Sequence, residues 1–429
     1  MEKQLIEQKK IFSLLEDFIV YIKSKNAKKR KTLLKSIFLV ILLFFFVLIL
    51  TKYYKYKHCK KNYQQKINKS TFLSFLQKYK KIVEKVEEKD EEEEENEDGK
   101  EDKEIKEYKN IKDEKMKKIL VIGSIGYDLT TYYDRMPFQG ETLIGLKFTQ
   151  NPGGKGNYQA VSASRAGGDV TFLGTIGNDS YGDILKKNLD DNKIKYKLKV
   201  IQNTNCQIST ILVDKNGENS VIIVPGANRY VDKSLIDTNE NLIEENDIIL
   251  LQLEIPIETV EYIIDRAYEK KKLIILNPSS GQPLPKNILK KVDYLIPNEN
   301  ELALITEMPT NSIERIIYAS KKLIELGVKN LIVTLGDKGN ILCNKDNVKF
   351  FDAYPAKVVD TTGAGDCFAG VLSVYLSKSY PIEEAIKYAN LASSISVRKI
   401  GAIPSFPTKK QIEREKKKFI DDKIIKNFN

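Results

Sequence analysis

The string Asp360-Thr-Thr-Gly-Ala-Gly-Asp366, followed by Cys-Phe-Ala-Gly and a helical run, is the strongest chemical feature of the 429-residue chain. Gly363 and Gly365 let the backbone approach a ligand closely and adopt positive φ. The free N–H groups at the following helix start face outward with the positive end of the helix dipole, which suits a phosphate. Asp366 falls at the same place. A carboxylate beside an anion weakens simple binding, but it becomes useful if it takes the proton from a hydroxyl that attacks the phosphate. Standing alone, a G-x-G-D string also fits a helix-capping Asp after a glycine turn.

Two further strings carry polar groups at defined spacings. Asn151-Pro-Gly-Gly-Lys-Gly-Asn157 leads into a helical stretch at 158–166. The glycines around Lys155 fit a hinge and a helix start whose N–H groups face a polar ligand; the plain alternative is an ordinary Gly-rich turn. Pro297-Asn298-Glu299-Asn300-Glu301 follows a short apolar run. Asn298 and Glu301, three residues apart, share one helical face. Mg²⁺ keeps most of its waters and is held by few carboxylates plus phosphate oxygens, a role that one Glu and one Asn at a strand end suit. A solvated helix N-terminus is the alternative.

Composition narrows the chemistry. The only histidine is His58, far from these strings. The globular part therefore holds no Ser-His-Asp triad, no H-E-x-x-H zinc site and no H-R-D loop. Its general base must be a carboxylate, or less often Lys, Tyr or Cys. Cys59, Cys206, Cys343 and Cys367 form no C-x-x-C pair, which argues against a disulfide framework or zinc site and for a reducing compartment. No G-x-x-x-x-G-K-[ST] loop is present and no G-x-G-x-x-G follows the first strand, so another device must hold any nucleotide. Residues 1–83 carry 20 Lys/Arg against 4 Asp/Glu, a net +16; set against +11 for the whole chain, the remainder carries −5. A nucleic-acid surface on the globular part is thus not expected.

The elements that must position these residues begin near Lys117. Short apolar runs at 119–122, 170–173, 248–253, 273–276, 294–296 and 331–334 read as buried strands. Helical stretches at 258–269, 313–326, 365–376 and 382–397 separate several of them. That alternation implies a mostly parallel sheet covered on both faces. Segments at about 128–150 and 208–224 break the rhythm with polar alternation and no intervening helix. They predict a small β lid at the carboxyl ends of the main strands, where ligands of open α/β sheets bind.

Upstream, residues 1–83 form a basic extension. Its apolar run at 37–50, extended to 37–54, approaches the roughly 20 residues needed to cross a bilayer, and a transmembrane helix is expected there. Basic residues crowd both sides, so the run has no orientation by charge. Residues 84–116 form an acidic linker that cannot bury enough apolar surface to order itself. The globular domain is expected at 117–429.

The three strings, in this order, closely resemble the motifs of the ribokinase-like (PfkB-type) carbohydrate kinases, over about residues 117–407. Residues 153–156 resemble the N-terminal signature, VVDTTGAGDCFAGVL the C-terminal one, and Asn298-x-x-Glu301 the metal-associated motif. Supporting strings are Gly123-Ser-Ile-Gly-Tyr-Asp128, Pro225-Gly-Ala-Asn228, Leu251-Gln-Leu-Glu254, Thr334-Leu-Gly-Asp-Lys-Gly339 and Gly401-Ala-Ile-Pro-Ser405. The resemblance implies a three-layer α/β fold with helices on both faces of a mostly parallel sheet, plus a small β-sheet lid. It implies ATP-dependent phosphorylation of a sugar hydroxyl, with D-ribose to D-ribose 5-phosphate as the first expectation.

By the same resemblance, Asp366 is the general base and the backbone of Gly363, Ala364 and Gly365 the anion hole. Gly126, Asp128, Gly154, Lys155, Gly156, Asn157, Tyr158 and Glu254, with Asp366, line the sugar pocket. Asn298, Thr334, Leu335, Gly336, Asp337, Lys338, Gly339 and Asn390, with Gly365 and Asp366, contact ATP. Glu301 organises Mg²⁺ through water, while Asp360, Thr362, Ser396, Lys399, Gly401 and Ser405 surround a monovalent cation, usually K⁺. A homodimer formed through the lid strands is implied as well. ATP supply puts the catalytic domain in the cytosol, with a membrane anchor at 37–54. Two positions depart from the family pattern: Gly126 stands where Asn is usual, and Tyr158, preceded by Asn157, replaces a sugar-contacting Asn. The alternatives are the same fold acting on a nucleoside, ketohexose or sugar phosphate, and a membrane-tethered nucleotide-binding protein without turnover. Intact Asp366, Gly363, Gly365, Asn298 and Glu301 argue against the last.

Overall fold

The computed structural model describes residues 116–215, 219–279, 283–419 and 425–428. All of them lie in one compact unit, Ile111–Asn429. The basic extension, the apolar run at 37–54 and the acidic linker up to residue 115 lie outside the described residues. Among the described residues no helix is long and apolar enough to cross a membrane.

The main sheet contains β1 (Ile119–Ile122), β4 (Val170–Gly177), β5 (Lys195–Ile201), β8 (Ile248–Leu251), β9 (Leu273–Leu276), β10 (Tyr294–Leu295), β11 (Asn330–Thr334), β12 (Asn340–Asn344), β13 (Val348–Phe351) and β14 (Ile425–Phe428). Their order is β14-β13-β12-β11-β10-β9-β8-β1-β4-β5. The strands from β11 through β5 pair in parallel, and the last three pairings, from β11 to β14, are antiparallel. Every residue of β1 and β8 is buried, as expected for parallel strands covered on both faces. Ile119 and Val121 point into one core while Leu120 and Ile122 point into the other, following the period of two. Helices Lys155–Arg165, Ala364–Ser377 and Ile382–Ser396 close the first core; Ile257–Glu269 and Ile313–Glu325 close the second.

Strand order fixes where a ligand can sit. The chain leaves β1 toward β4 on one side and later returns to β8 on the other. Connections that diverge on opposite sides of β1 open a crevice at the carboxyl ends of the strands. Over that crevice lies a second sheet of β2 (Gly126–Tyr132), β3 (Lys147–Gly153), β6 (Gln207–Val213) and β7 (Asn219–Val224), in the order β3-β2-β6-β7. The central pair, β2 with β6, is parallel, and its flanking pairs are antiparallel. These strands begin two residues and one residue earlier than the polar alternation suggested, at Gly126 and Gln207. No strand occupies 133–146.

Candidate active site

The Gly-rich string owes its shape to close approach. Helix Lys155–Arg165 starts after Gly154, whose φ of 89° suits glycine alone. A Cβ on Gly156 would stand 2.7 Å from the Ser124 carbonyl oxygen, so only glycine lets the helix start press on the loop after β1. Ser124 joins the two: its hydroxyl donates to the Glu254 carboxylate at 2.6 Å and accepts from the Gly156 N–H at 3.3 Å. The same Glu254 oxygen accepts the Lys155 N–H at 3.0 Å.

Asp128 lies on β2 with its carboxylate over Gly153 of β3, where a Cβ would come within 2.1 Å of Oδ1. It accepts hydrogen bonds from the Tyr158 hydroxyl and from Ser209. Tyr158 is itself buried and packs edge-on against Phe406. Burial pushes the Asp128 pKa up, and Glu254 adds to this; Tyr158, Ser209 and Lys155 pull the other way without cancelling it.

Asp366 sits in the first turn of helix Ala364–Ser377, whose cap Gly363 is left-handed at φ 76°. A Cβ at Gly363 would lie 2.7 Å from Ala402 Cβ, whereas one at Gly365 would meet nothing within 4 Å. The space beside Gly365 therefore gives access to the first-turn amides, which have no acceptor within a helix. Ala364 differs from the expectation of a free donor: its N–H bonds the Thr361 carbonyl at 3.1 Å. Asp366 Oδ1 accepts from Gln159 Nε2 at 2.9 Å. Gln159 also reaches Asn277 Oδ1 at 3.0 Å and accepts from Gln252 Nε2 at 2.7 Å. Asn277 in turn donates to the Ile296 carbonyl at 2.6 Å.

These groups share one field. Burial pushes the Asp366 pKa up; Lys155 and the Gln159 bond lower it, and Glu254 raises it. Burial alone would depress Lys155, but Asp366, Glu254, Glu301 and Asp128 outweigh that and hold its ammonium above the ordinary lysine range.

Asn298 and Glu301 form a reciprocal helix cap: Asn298 Oδ1 accepts from the Glu301 N–H at 2.8 Å, and Glu301 Oε2 from the Asn298 N–H at 2.9 Å. Burial raises the Glu301 pKa, and Asp366 adds to this, against the Asn298 bond and Lys155. Asn298 forms a parallel bridge with Thr334. Beyond Thr334, a 3-10 turn at Gly336–Lys338 closes with the Leu335 N–H on the Gly339 carbonyl at 2.8 Å. Asn340, opposite Thr334, donates to Asn390 Oδ1. The structure thus brings Asn298, the 334–339 turn and Asn390 to one end of β11.

Asp360 Oδ1 accepts from the Thr362 N–H and hydroxyl at 2.9 and 2.6 Å, and its Oδ2 from the Gly401 N–H at 2.7 Å. The Lys399 N–H bonds the Ser396 carbonyl at 3.3 Å. The Ser396 and Ser405 hydroxyls bond carbonyls three residues back. Among the described residues no group of three His, Cys, Asp or Glu is arranged to hold a metal ion.

Asn157 does not join the sugar-pocket candidates. It is fully buried, donates to the Gly153 carbonyl at 3.1 Å and accepts from Asn188 at 2.9 Å, so its carboxamide fastens the helix start to β3 and Asn188. Gly126 has no room for a side chain, because Gln207 occupies it. Sequence reasoning missed Gln159, although a residue four after Lys155 shares its helix face. Gln207 was invisible because its role depends on which strand β6 pairs with.

The model for the pfkB family of carbohydrate kinases matches residues 116–409. A deoxyribokinase of Salmonella typhi is 35% identical over 295 residues, covering 68% of this chain and 96% of that protein. A ribokinase of Bacillus subtilis is 34% identical over 298 residues, covering 69% and 98%. The structure of Arabidopsis thaliana ribokinase complexed with ribose and ATP superposes with a TM-score of 0.66 at 31% identity, covering 70% of this chain and 98% of that one.

Proposed function

Because the chain belongs to the pfkB family of carbohydrate kinases, phosphotransferases acting on a sugar hydroxyl, we propose that it transfers the terminal phosphoryl group of ATP to D-ribose, giving D-ribose 5-phosphate. The observation that carries this reading is Asp366: a buried carboxylate in the first turn of a glycine-opened helix, held by Gln159 and coupled through Lys155 to the carboxylates of the crevice.

In this mechanism Asp366 takes the proton of the attacking hydroxyl. The first-turn amides at Gly365 and Asp366 stabilise charge on the transferring group from an open approach. Asp128, Glu254 and Lys155 orient the sugar, and Tyr158 fixes the Asp128 carboxylate by donating to its Oδ2. Asn298, the 334–339 turn and Asn390 hold ATP. Glu301 would help to hold Mg²⁺, which would supply positive charge to offset that of the phosphates; one carboxylate suits an ion that keeps most of its waters. Asp360, tied to Thr362 and Gly401, would with Ser396, Lys399 and Ser405 hold K⁺, which would add positive charge to the site. The exposed apolar residues Val221, Ile222, Ile223 and Val224 on β7 support a homodimer through the small sheet. The run at 37–54 is proposed as a membrane anchor that leaves the kinase domain in the cytosol.

A second reading, 2-deoxy-D-ribose as substrate, is favoured by the deoxyribokinase relative. The test is an ADP-release assay of the full chain with ATP and Mg²⁺, with and without K⁺. The panel contains D-ribose, 2-deoxy-D-ribose, D-fructose, a nucleoside and a sugar phosphate, with the product identified by mass and NMR. Highest kcat/KM with D-ribose is expected. No ADP above background with any member would overturn the reading.

A further inference from the structure

Gly126 and Gln207 compete for one place. They face each other in the parallel β2–β6 pair. A Cβ on Gly126 would stand 2.7 Å from Gln207 Cβ and 2.8 Å from Gln207 Cγ. Either strand, but not both, can carry a side chain there. In this chain β6 carries it.

The face is that of the candidate sugar residues. Residues two apart on a strand share a face, and residues opposite one another across a pair do so too. Asp128 follows Gly126 by two, Ser209 follows Gln207 by two, and Ser209 bonds Asp128. Gln207 therefore presents its carboxamide on the Asp128 side of the small sheet. It borders a cavity of about 350 Å³ shared with Asn228, Leu253 and Glu254. Glu254 is the carboxylate already bound to Ser124 and Lys155.

The orientation of that carboxamide is set by its neighbours. Asn228 Oδ1 accepts the Ile125 N–H at 3.3 Å, so Asn228 Nδ2 is a donor; it gives to the Ile125 carbonyl at 3.1 Å and to Gln207 Oε1 at 2.7 Å. The Gln207 oxygen must face Asn228, because its nitrogen would oppose another donor. Nε2 is left over. Gln207 is only 1% exposed, and Nε2 meets no hydrogen-bond partner among the described residues. A buried donor without an acceptor is costly in a resting protein and becomes an asset when a ligand supplies the acceptor.

We propose that Gln207 is a specificity-determining residue of the sugar site, whose Nε2–H donates to a hydroxyl of the bound sugar from the space that Gly126 leaves open. This rests on the reading of the protein as a sugar kinase. It accounts for an apolar position at 126 without loss of a carboxamide from the pocket: the group stands on the neighbouring strand.

The test uses the full chain, the panel sugar with the highest kcat/KM, and its monodeoxy analogues. With the wild type, the analogue lacking the contacted hydroxyl should be worse by about tenfold or more. In Gln207→Leu that gap should close to within about threefold, with most of the loss on the parent sugar falling in KM rather than kcat. Melting temperatures monitor folding, and the exchange Gly126→Asn with Gln207→Gly supplies a second arm, which should lower the sugar KM relative to Gln207→Gly alone. A wild type that phosphorylates no sugar overturns the kinase reading and this inference together. An active wild type whose deoxy-analogue gaps are unchanged in Gln207→Leu overturns the role of Gln207 alone.

Discussion

Replacing Gln159 with Leu removes the one side-chain donor that Asp366 has among the described residues, at 2.9 Å. A hydrogen bond to a charged group contributes roughly 1.5–3 kcal/mol, against roughly 0.5–1.5 kcal/mol for a neutral one. The donor therefore favours the ionised carboxylate over the acid by about 1.5 kcal/mol, which corresponds to about one pH unit. Burial already raises the Asp366 pKa, and Gln159 is one of two groups that pull it back. Its loss must move the pKa further up. A general base works when deprotonated, so activity falls as pH drops through that value. The acid limb of kcat/KM for Gln159→Leu should lie about one pH unit above that of the wild type. Gln159 also holds Gln252 and Asn277, so two more buried amides lose a partner and stability falls by about 2–4 kcal/mol. Thermal unfolding reads the second effect and the pH profile the first. A variant with lowered Tm and an acid limb in the wild-type position would refute the positioning argument and leave Gln159 a purely structural residue.

Asp366→Asn keeps the shape of the site and removes the base; turnover should fall by about 10²–10⁴-fold while ATP binding by calorimetry is retained. Gly363→Ala places a methyl 2.7 Å from Ala402 Cβ in a left-handed backbone. It should cost about 2 kcal/mol or more of stability in denaturant unfolding and lower kcat by more than about tenfold. Glu301→Gln preserves the reciprocal cap, since Gln serves that position as well as Glu. Its Tm should stay close to the wild type, while the Mg²⁺ concentration for half-maximal rate rises by about 10–100-fold. An unchanged Mg²⁺ titration would reduce Glu301 to a helix cap.

The main sheet was legible because its central strands are short, wholly apolar runs. Leu273–Leu276 has the boundaries read from the sequence, and Ile119–Ile122 does too. The helix ends at 269, 313 and 382 coincide with the reading and the others differ by one to three residues, the ordinary spread for fraying termini. Lys195–Ile201 escaped notice because KYKLKVI alternates charge with apolar residues, as an edge strand does. Val348–Phe351 and its antiparallel neighbours carry no signal that separates them from loops. At the site, the types and spacing of Asp366, Lys155 and Glu301 were readable because they stand in glycine-marked strings. Asn157 stands in such a string too, yet helix phase turns it inward to Asn188. Gln159, Gln252 and Asn277 come from three separate segments, and only the folded crevice makes them one network.

Two consecutive residues of one helix grip two different carboxylates: Tyr158 holds Asp128 on the small sheet, and Gln159 holds Asp366 beneath the glycine turn. The two carboxylates are consequently tied to adjacent backbone positions of one helix, each through one side chain and one hydrogen bond. Displacing the small sheet at its Asp128 end would break the Tyr158 bond or carry the helix start with it, so that end is the tethered one. A longer or bulkier acceptor could gain room only along the walls that this helix does not brace, toward Leu253 and the turn at Asn228.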